Sequence, residues 1–311
     1  MIKTDLKLEG AIKDVVNYFN YFSYPPDIEE IHHFLQIKVE KSELQNILNN
    51  LVTSKKLKII NTKYFILHTK NAIPSHRIYK TIKTDRAAYS QIKLKKINLL
   101  IKLLSPFPQI HLVGLSGSLT MNFADRNDDI DLFIISCKKR IWTARWICII
   151  ITTLLGLRRK RNQTKANNKV CLNMFFDSSA LLISTSKQNL YTAHEVVQMK
   201  PIINKFDTYN KFININSWVF DFFPNILSSR GSASLQRQSD FETHVIASPA
   251  QRGVAISPNG SLIGNFFESI FKHLQLVLIN RHRTTEFITE AQLWFHPEDF
   301  EKKLRKDGII S

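Results

Sequence analysis

Cysteine is scarce in this chain of 311 residues: Cys137, Cys148 and Cys171 are its three, each set among apolar neighbours. They show no metal-knot spacing and no even disulfide framework. That excludes a disulfide-stapled secreted scaffold and suits a reducing compartment. The N-terminal stretch Met1 to Gly10 has no apolar core, so a signal peptide is not expected. No internal repeat is visible, which excludes a solenoid. A long apolar run is nearly absent too. The strongest, Ile141 to Leu157, is interrupted by Arg145, lies at the short limit of a membrane span and is basic on both flanks. A helix buried against a sheet accounts for it better, so a membrane partner is not expected and a cytoplasmic location is.

Acidic residues are the other deficit. Lys and Arg number 43 against 26 Asp and Glu, a net charge of +17, and the stretch from Lys138 to Lys169 contains no acid at all. The excess sits in two blocks, 55–102 and 138–169, while residues 1–50 are slightly acidic. Blocks of one sign point to a polyanionic partner, RNA or DNA, or to a nucleotide substrate. The frequent Lys, Asn and Ile of an AT-rich genome would give the same balance. At 44% hydrophobic and 22% charged the chain is globular.

What is present centres on Val113 to Ile135. Ile110 to Leu115 has the length and branching of a buried strand, and Gly117-Ser118 comes directly after it. Glycine there lets backbone N–H groups approach an anion, and a helix opening at Ser118 would add partial positive charge. Both suit a phosphate. Ten residues later Asp129-Ile130-Asp131 leads into Leu132-Phe133-Ile134-Ile135. Along a strand Asp129 and Asp131 share a face about 7 Å apart, an arrangement that calls for a divalent cation with oxygen ligands, Mg²⁺ or Mn²⁺. An exposed acidic turn would explain Asp125 to Asp128 but not the apolar run after it.

Gly117-Ser118, ten residues, then Asp129-Ile130-Asp131-Leu132 resembles the signature of the DNA polymerase β-like nucleotidyltransferase superfamily, over about His111 to Asp177. The resemblance implies that the Gly-Ser loop holds an NTP's triphosphate, that the Asp pair binds the metals, and that a third carboxylate on a later strand completes the site. Here that strand reads Val170 to Asp177. Its mid-strand polar residue is Asn173, and plain alternation would put Asn173, Phe175 and Asp177 on one face. Asn173 is the expected occupant of the third position, with Asp177 starting the next turn. The choice between them stays open.

The expected fold is α/β (α+β): an N-terminal winged helix at 1–70, a nucleotidyltransferase core with a small mixed sheet at 71–205, and a C-terminal helical region at 206–311 with a flexible loop at about 228–260. The winged helix is read from helices at 8–22, 28–34 and 44–52, the second capped by Asp27, and a hairpin turning at Asn61-Thr62. Its third helix has few cations, so a protein-docking platform is as good a reading as a DNA reader. Pro201 is expected to end a helix carrying His194 and Glu195, both read as structural. The expected activity is metal-dependent transfer of a nucleoside monophosphate from an NTP to an acceptor hydroxyl of RNA, DNA or protein, with Lys138 to Arg145 as candidates for steadying pyrophosphate. The competing expectation is a degenerate, antitoxin-like binding module.

Overall fold

The computed structural model describes residues 2–66, 75–159, 166–226, 262–281, 286–295 and 300–309. Its architecture is mixed α/β. Three helices lead: α1 (Ile2–Tyr21), α2 (Ile28–Phe34) and α3 (Lys41–Thr53), then the hairpin β1 (Leu57–Ile60) and β2 (Lys63–Ile66). Asp27 and Glu30 form a reciprocal capping box at the start of α2. Asn61 and Thr62 both take positive φ, as a two-residue hairpin turn demands. The second strand starts one residue earlier than its apolar run suggests, because the buried Lys63 ammonium reaches Asp27 at 2.9 Å and Glu30 at 2.8 Å.

The long helix α4 (His76–Leu104) then feeds a six-stranded sheet. The strands are β3 (Ile110–Ser116), β4 (Ile130–Ser136), β5 (Val170–Asp177), β6 (Lys200–Asn204), β7 (Phe287–Ile288) and β8 (Gln292–Trp294), in spatial order β6-β3-β4-β5-β8-β7. Only β4 and β5 pair in parallel. Their crossover is α5 (Ile141–Leu154), the apolar helix, whose Ile141, Trp142, Ala144 and Cys148 are buried.

Two corrections concern the sheet edges. Pro201 does end α6 (Leu190–Gln198), but the chain goes straight into β6, where an edge position spares proline a ladder donor. The C-terminal region is not purely helical, since β7 and β8 complete the sheet beyond β5. Both are too short to show alternation. The rest of that region holds α7 (Thr208–Ile215), α8 (Val219–Phe222), α9 (Leu262–Asn280) and α10 (Phe300–Lys306). The expected loop at 228–260 lies outside the described residues.

The layers arise from strand alternation. Ile130, Leu132 and Ile134 face α4, α5 and α9. Phe133, Ile135 and Phe176 face the other way, into a core shared with α6, α7 and α8 and with Ile12, Phe19 and Phe34 of α1 and α2. His194 seals that junction, its ring stacked on Tyr18 at 3.9 Å and Phe34 at 4.6 Å. Asn225 pins it further, accepting from the Val39 N–H at 3.0 Å and donating to the Ile37 carbonyl at 2.9 Å.

Candidate functional site

Strand register assembles the site. Ser116 pairs with Asp131 across the antiparallel β3–β4 ladder, so Gly117 comes to rest against the Asp131 carboxylate. Gly117 has φ +69°, and a Cβ on it would stand 2.9 Å from Asp131 Oδ2. Glycine is therefore required twice, for the backbone conformation and for the close approach. The segment Gly117–Met121 is one short 3₁₀ turn instead of the opening of a full α-helix. The Ser118 hydroxyl donates to Asp128 Oδ2 at 2.7 Å, and the Asp125 N–H donates to the same oxygen at 2.8 Å. The Gly-Ser turn and the acidic loop are thus one hydrogen-bonded unit.

Asp129 precedes β4 and Asp131 lies within it. Their carboxylates and the Cys171 thiol form a group whose ligand atoms all lie within 4.8 Å of one another. Cys171 joins because it stands opposite Asp131 in the parallel β4–β5 ladder. Spacing along the chain cannot show such a pairing, and this corrects the reading of the three cysteines as uninvolved in any metal geometry. The group offers a cation site, of donors weighted toward oxygen.

Asn173 completes the cluster through a β-bulge. Leu132 pairs with Leu172 but Phe133 pairs with Met174, leaving Asn173 as the extra residue on β5. The bulge breaks the expected alternation. Met174 and Phe176 face the Asp131 side, while Phe175 faces the opposite core. Buried Asn173 donates through Nδ2 to Asp131 Oδ1 and accepts from the Cys171 thiol. Asp177 is elsewhere. It caps the turn after β5, accepting from the Lys139 N–H at 2.5 Å and from the Ser179 N–H and hydroxyl at 2.8 and 2.6 Å. Ser136, its neighbour in the ladder, is five residues from Asp131, about 17 Å along the strand.

The cations differ from expectation. Lys138 to Arg140 lie at that distant end of β4, and Arg145 is committed to Gln275 and to the face of Phe295. The site's cation is Arg159, beyond α5, which pairs with Asp129. A second, Lys93 of α4, is wholly buried and points its ammonium at the Asp128 carbonyl, 2.6 Å away.

Burial pushes the Asp131 carboxyl well above the ordinary carboxylate range, and the charges of Asp129 and Glu195 add to the shift. Donation from Asn173 and the charge of Arg159 act against it. The pair is thus short of positive charge, which is the condition a divalent ion would relieve. Burial raises the Cys171 thiol strongly, with Asp131 and Asp129 contributing, and keeps it protonated. Glu195 of α6, read from sequence as structural, lines a cavity of ≈ 40 Å³ together with Ser116, Phe133 and Tyr191, and burial pushes its carboxyl up to about 7. The only sequence signal is an acid on a helix otherwise turned to the core.

The chain matches no family model, no curated protein and no solved structure.

Proposed function

We propose that the protein is a metal-dependent nucleotidyltransferase that moves a nucleoside monophosphate from an NTP to an acceptor hydroxyl. The observation that carries the reading is the contact of Gly117 with Asp131. It joins a turn suited to phosphate with a carboxylate pair suited to a cation, in the order and spacing of the polymerase β-like signature. In this reading residues 71–205 are the nucleotidyltransferase core, and α1–α3 with the β1–β2 hairpin is a winged helix.

Each residue of the site then has its own task. Asp129 and Asp131 hold Mg²⁺ or Mn²⁺, and hard oxygen donors favour either ion over softer metals. The bound ion supplies neutralisation of the phosphates. Backbone N–H groups at Gly117 and Ser118, with the Ser118 hydroxyl turned from Asp128, hold the β- and γ-phosphates. Arg159, within reach of the Asp pair and partly exposed, steadies the departing pyrophosphate. The acceptor oxygen bonds to the α-phosphorus as the bond to the β-phosphate's bridging oxygen breaks, pyrophosphate departs, and the hydroxyl proton passes to water. Asn173 keeps Asp131 oriented but cannot take the acceptor's proton.

That last point favours a second reading, a degenerate module that binds nucleotide without turnover and regulates through nucleic acid or protein. One experiment separates them. The protein is incubated with each α-labelled NTP, Mg²⁺ or Mn²⁺ and total RNA or lysate, beside an Asp131→Asn control. Label transferred by the wild type alone supports the enzyme. NTP binding without transfer supports the module, and no binding of any NTP removes both.

A further inference from the structure

Helix α9 packs Phe271, Leu276 and Ile279 on the core and sets three polar side chains beside them: Glu268 accepts from the Trp142 and Thr143 N–H groups at 2.8 and 2.9 Å, Gln275 donates to the Trp142 carbonyl at 3.0 Å, and Lys272 pairs with Glu290 at 2.6 Å. Glu268 thereby caps α5, which has no side-chain cap of its own. Positions 268, 272 and 275 define one face of a helix. The opposite face is apolar and bare, with Ile263, Phe266, Phe267, Ile270, Leu274 and Leu278 all exposed. Eight of the twenty large apolar side chains that the described residues expose lie on this one helix. Such a concentration of exposed apolar side chains on one helix marks an interaction face.

The neighbours extend it. Beside α9, α5 exposes Ile150 and Leu154, and on the same side of the sheet α4 exposes Ile92, Leu99 and Leu103. Among the described residues of α9 and α5, apart from Glu268, which caps α5, and the mutually paired Lys272 and Glu290, the charges beside the stripe are positive. Arg140 donates to Asn265 at 2.9 Å, which sets the exposed Lys138 and Lys139 beside the first turns of α9. Arg281 is exposed at the far end, and no acid occurs in the chain between Glu268 and Glu286.

We propose that α9, with the outer face of α5, docks the protein peripherally on an anionic lipid surface. A helix lying in the interface needs an apolar face to enter the acyl boundary and cations to meet the headgroups, and α9 has both. Charge argues against a second copy: self-association through this face would bring cation against cation with no unpaired acid to separate them. By length and composition α9 could also cross a membrane, but its inward Glu268, Lys272 and Gln275 and the cap that Glu268 gives α5 favour a helix that lies on the surface. The docking face lies across the sheet from the core shared with α1 and α2, so docking leaves that part of the molecule free. Docking of this kind is independent of nucleotidyl transfer.

The test is co-sedimentation of the full chain with phosphatidylcholine vesicles, with and without about one-third phosphatidylserine. The expected result is binding at least tenfold stronger to the anionic vesicles, weakened by high salt. Phe266→Ser with Phe267→Ser, and separately Ile263→Ser with Ile270→Ser, should each cut partitioning by about tenfold or more. All four side chains face solvent, and circular dichroism would confirm folding. Asp131→Asn should bind vesicles like the wild type. Absence of vesicle binding, binding insensitive to either double variant, or a concentration-dependent dimer that Phe266→Ser with Phe267→Ser abolishes in a protein that ignores vesicles would each overturn the proposal.

Discussion

The ammonium of Lys93 lies 2.6 Å from the backbone carbonyl oxygen of Asp128, with no exposure to solvent. Its further acceptors are the Arg126 carbonyl and Asn168 Oδ1, both at 3.4 Å. On the same face of α4, Ser90 accepts from the Ala124 N–H at 3.0 Å and Arg86 donates to the Phe123 carbonyl at 3.2 Å. Residues 86, 90 and 93 keep helical spacing. They anchor the loop from Phe123 to Asp128, which carries the partner of Ser118 and delivers Asp129.

Replacing Lys93 by Met therefore removes a buried ammonium and its bonds to three acceptors, leaving the Asp128 carbonyl only the Asn168 N–H at 3.4 Å. The expected cost is about 2–4 kcal/mol in urea unfolding, by the usual penalty for orphaned buried groups. Divalent binding by calorimetry should weaken as well, because Asp129 loses its support. Lys95→Met, on the exposed side of the same helix, should change stability by less than about 0.5 kcal/mol. Equal effects from the two variants would show that Lys93 does not organise the loop.

The pH dependence of Glu195→Gln provides a second test. The Glu195 carboxyl is pushed up to about 7 in the fold from the ordinary 4.5, so the folded chain holds a proton that the unfolded chain has released. Its contribution is nil below about pH 4.5, grows steadily more destabilising as pH rises from there to about 7, and is constant above that. His194 works in the opposite sense: burial lowers it to about 3, which penalises folding as pH falls below its usual 6.5. The wild-type curve mixes both, so the difference between variant and wild type is the quantity to measure. Glu195→Gln should match the wild type near pH 4.5 and exceed it by on the order of 1–3 kcal/mol at pH 8. A difference that does not grow with pH would show that Glu195 ionises freely.

Much of this site was legible before folding, and what was not has a physical reason. Gly117, Ser118, Asp129 and Asp131 declare themselves because their chemistry is local: a turn, a strand, and residues two apart on one face. Cys171 reaches the site only through the parallel register of β4 and β5, which no spacing announces, whereas Asn173, expected at the third position from the sequence, arrives there as the extra residue of a bulge. Lys93 reads as one more cation in a basic block until the loop it holds is in place. The C-terminal strands escaped because two or three residues cannot show a period, and the outward stripe of α9 reads from sequence as an ordinary amphipathic helix. Periodicity fixes how many faces a helix has, but not which one turns inward.

The basic blocks give a third prediction. Lys63, Lys93 and Arg145 are withdrawn into internal contacts, whereas Arg77, Lys80, Lys83, Lys95 and Lys96 of α4 stay exposed. Binding to RNA or DNA should therefore use the α4 surface and weaken linearly in log affinity against log salt. Lys80→Glu with Lys83→Glu should lower that slope by about 1–2, measured by fluorescence anisotropy at three salt concentrations. An affinity indifferent to salt would leave the positive charge as a matter of composition.

The last prediction concerns the third position of the Asp cluster. Asn173 already touches Asp131, and its carbonyl and amide ends are spoken for by Cys171 and Asp131. Asn173→Asp adds a negative charge beside Asp131, whose carboxyl burial and the charge of Asp129 already raise. Without metal the variant should melt at lower temperature, and more so at pH 8 than at pH 5, since the added acid resists ionising beside Asp131. With Mg²⁺ the order should reverse: a third carboxylate tightens binding by about tenfold, or about 1.4 kcal/mol. Asp177→Asn should behave differently. It weakens the bonds from the Lys139 N–H and from Ser179 at the far end of β5, for about 1–2 kcal/mol of stability, and leaves Mg²⁺ affinity unchanged. Calorimetric titration of both variants with Mg²⁺ separates the two. If Asp177→Asn is the one that abolishes metal binding while Asn173→Asp leaves it untouched, the assignment of Asn173 to the site is wrong, and with it the account of the bulge.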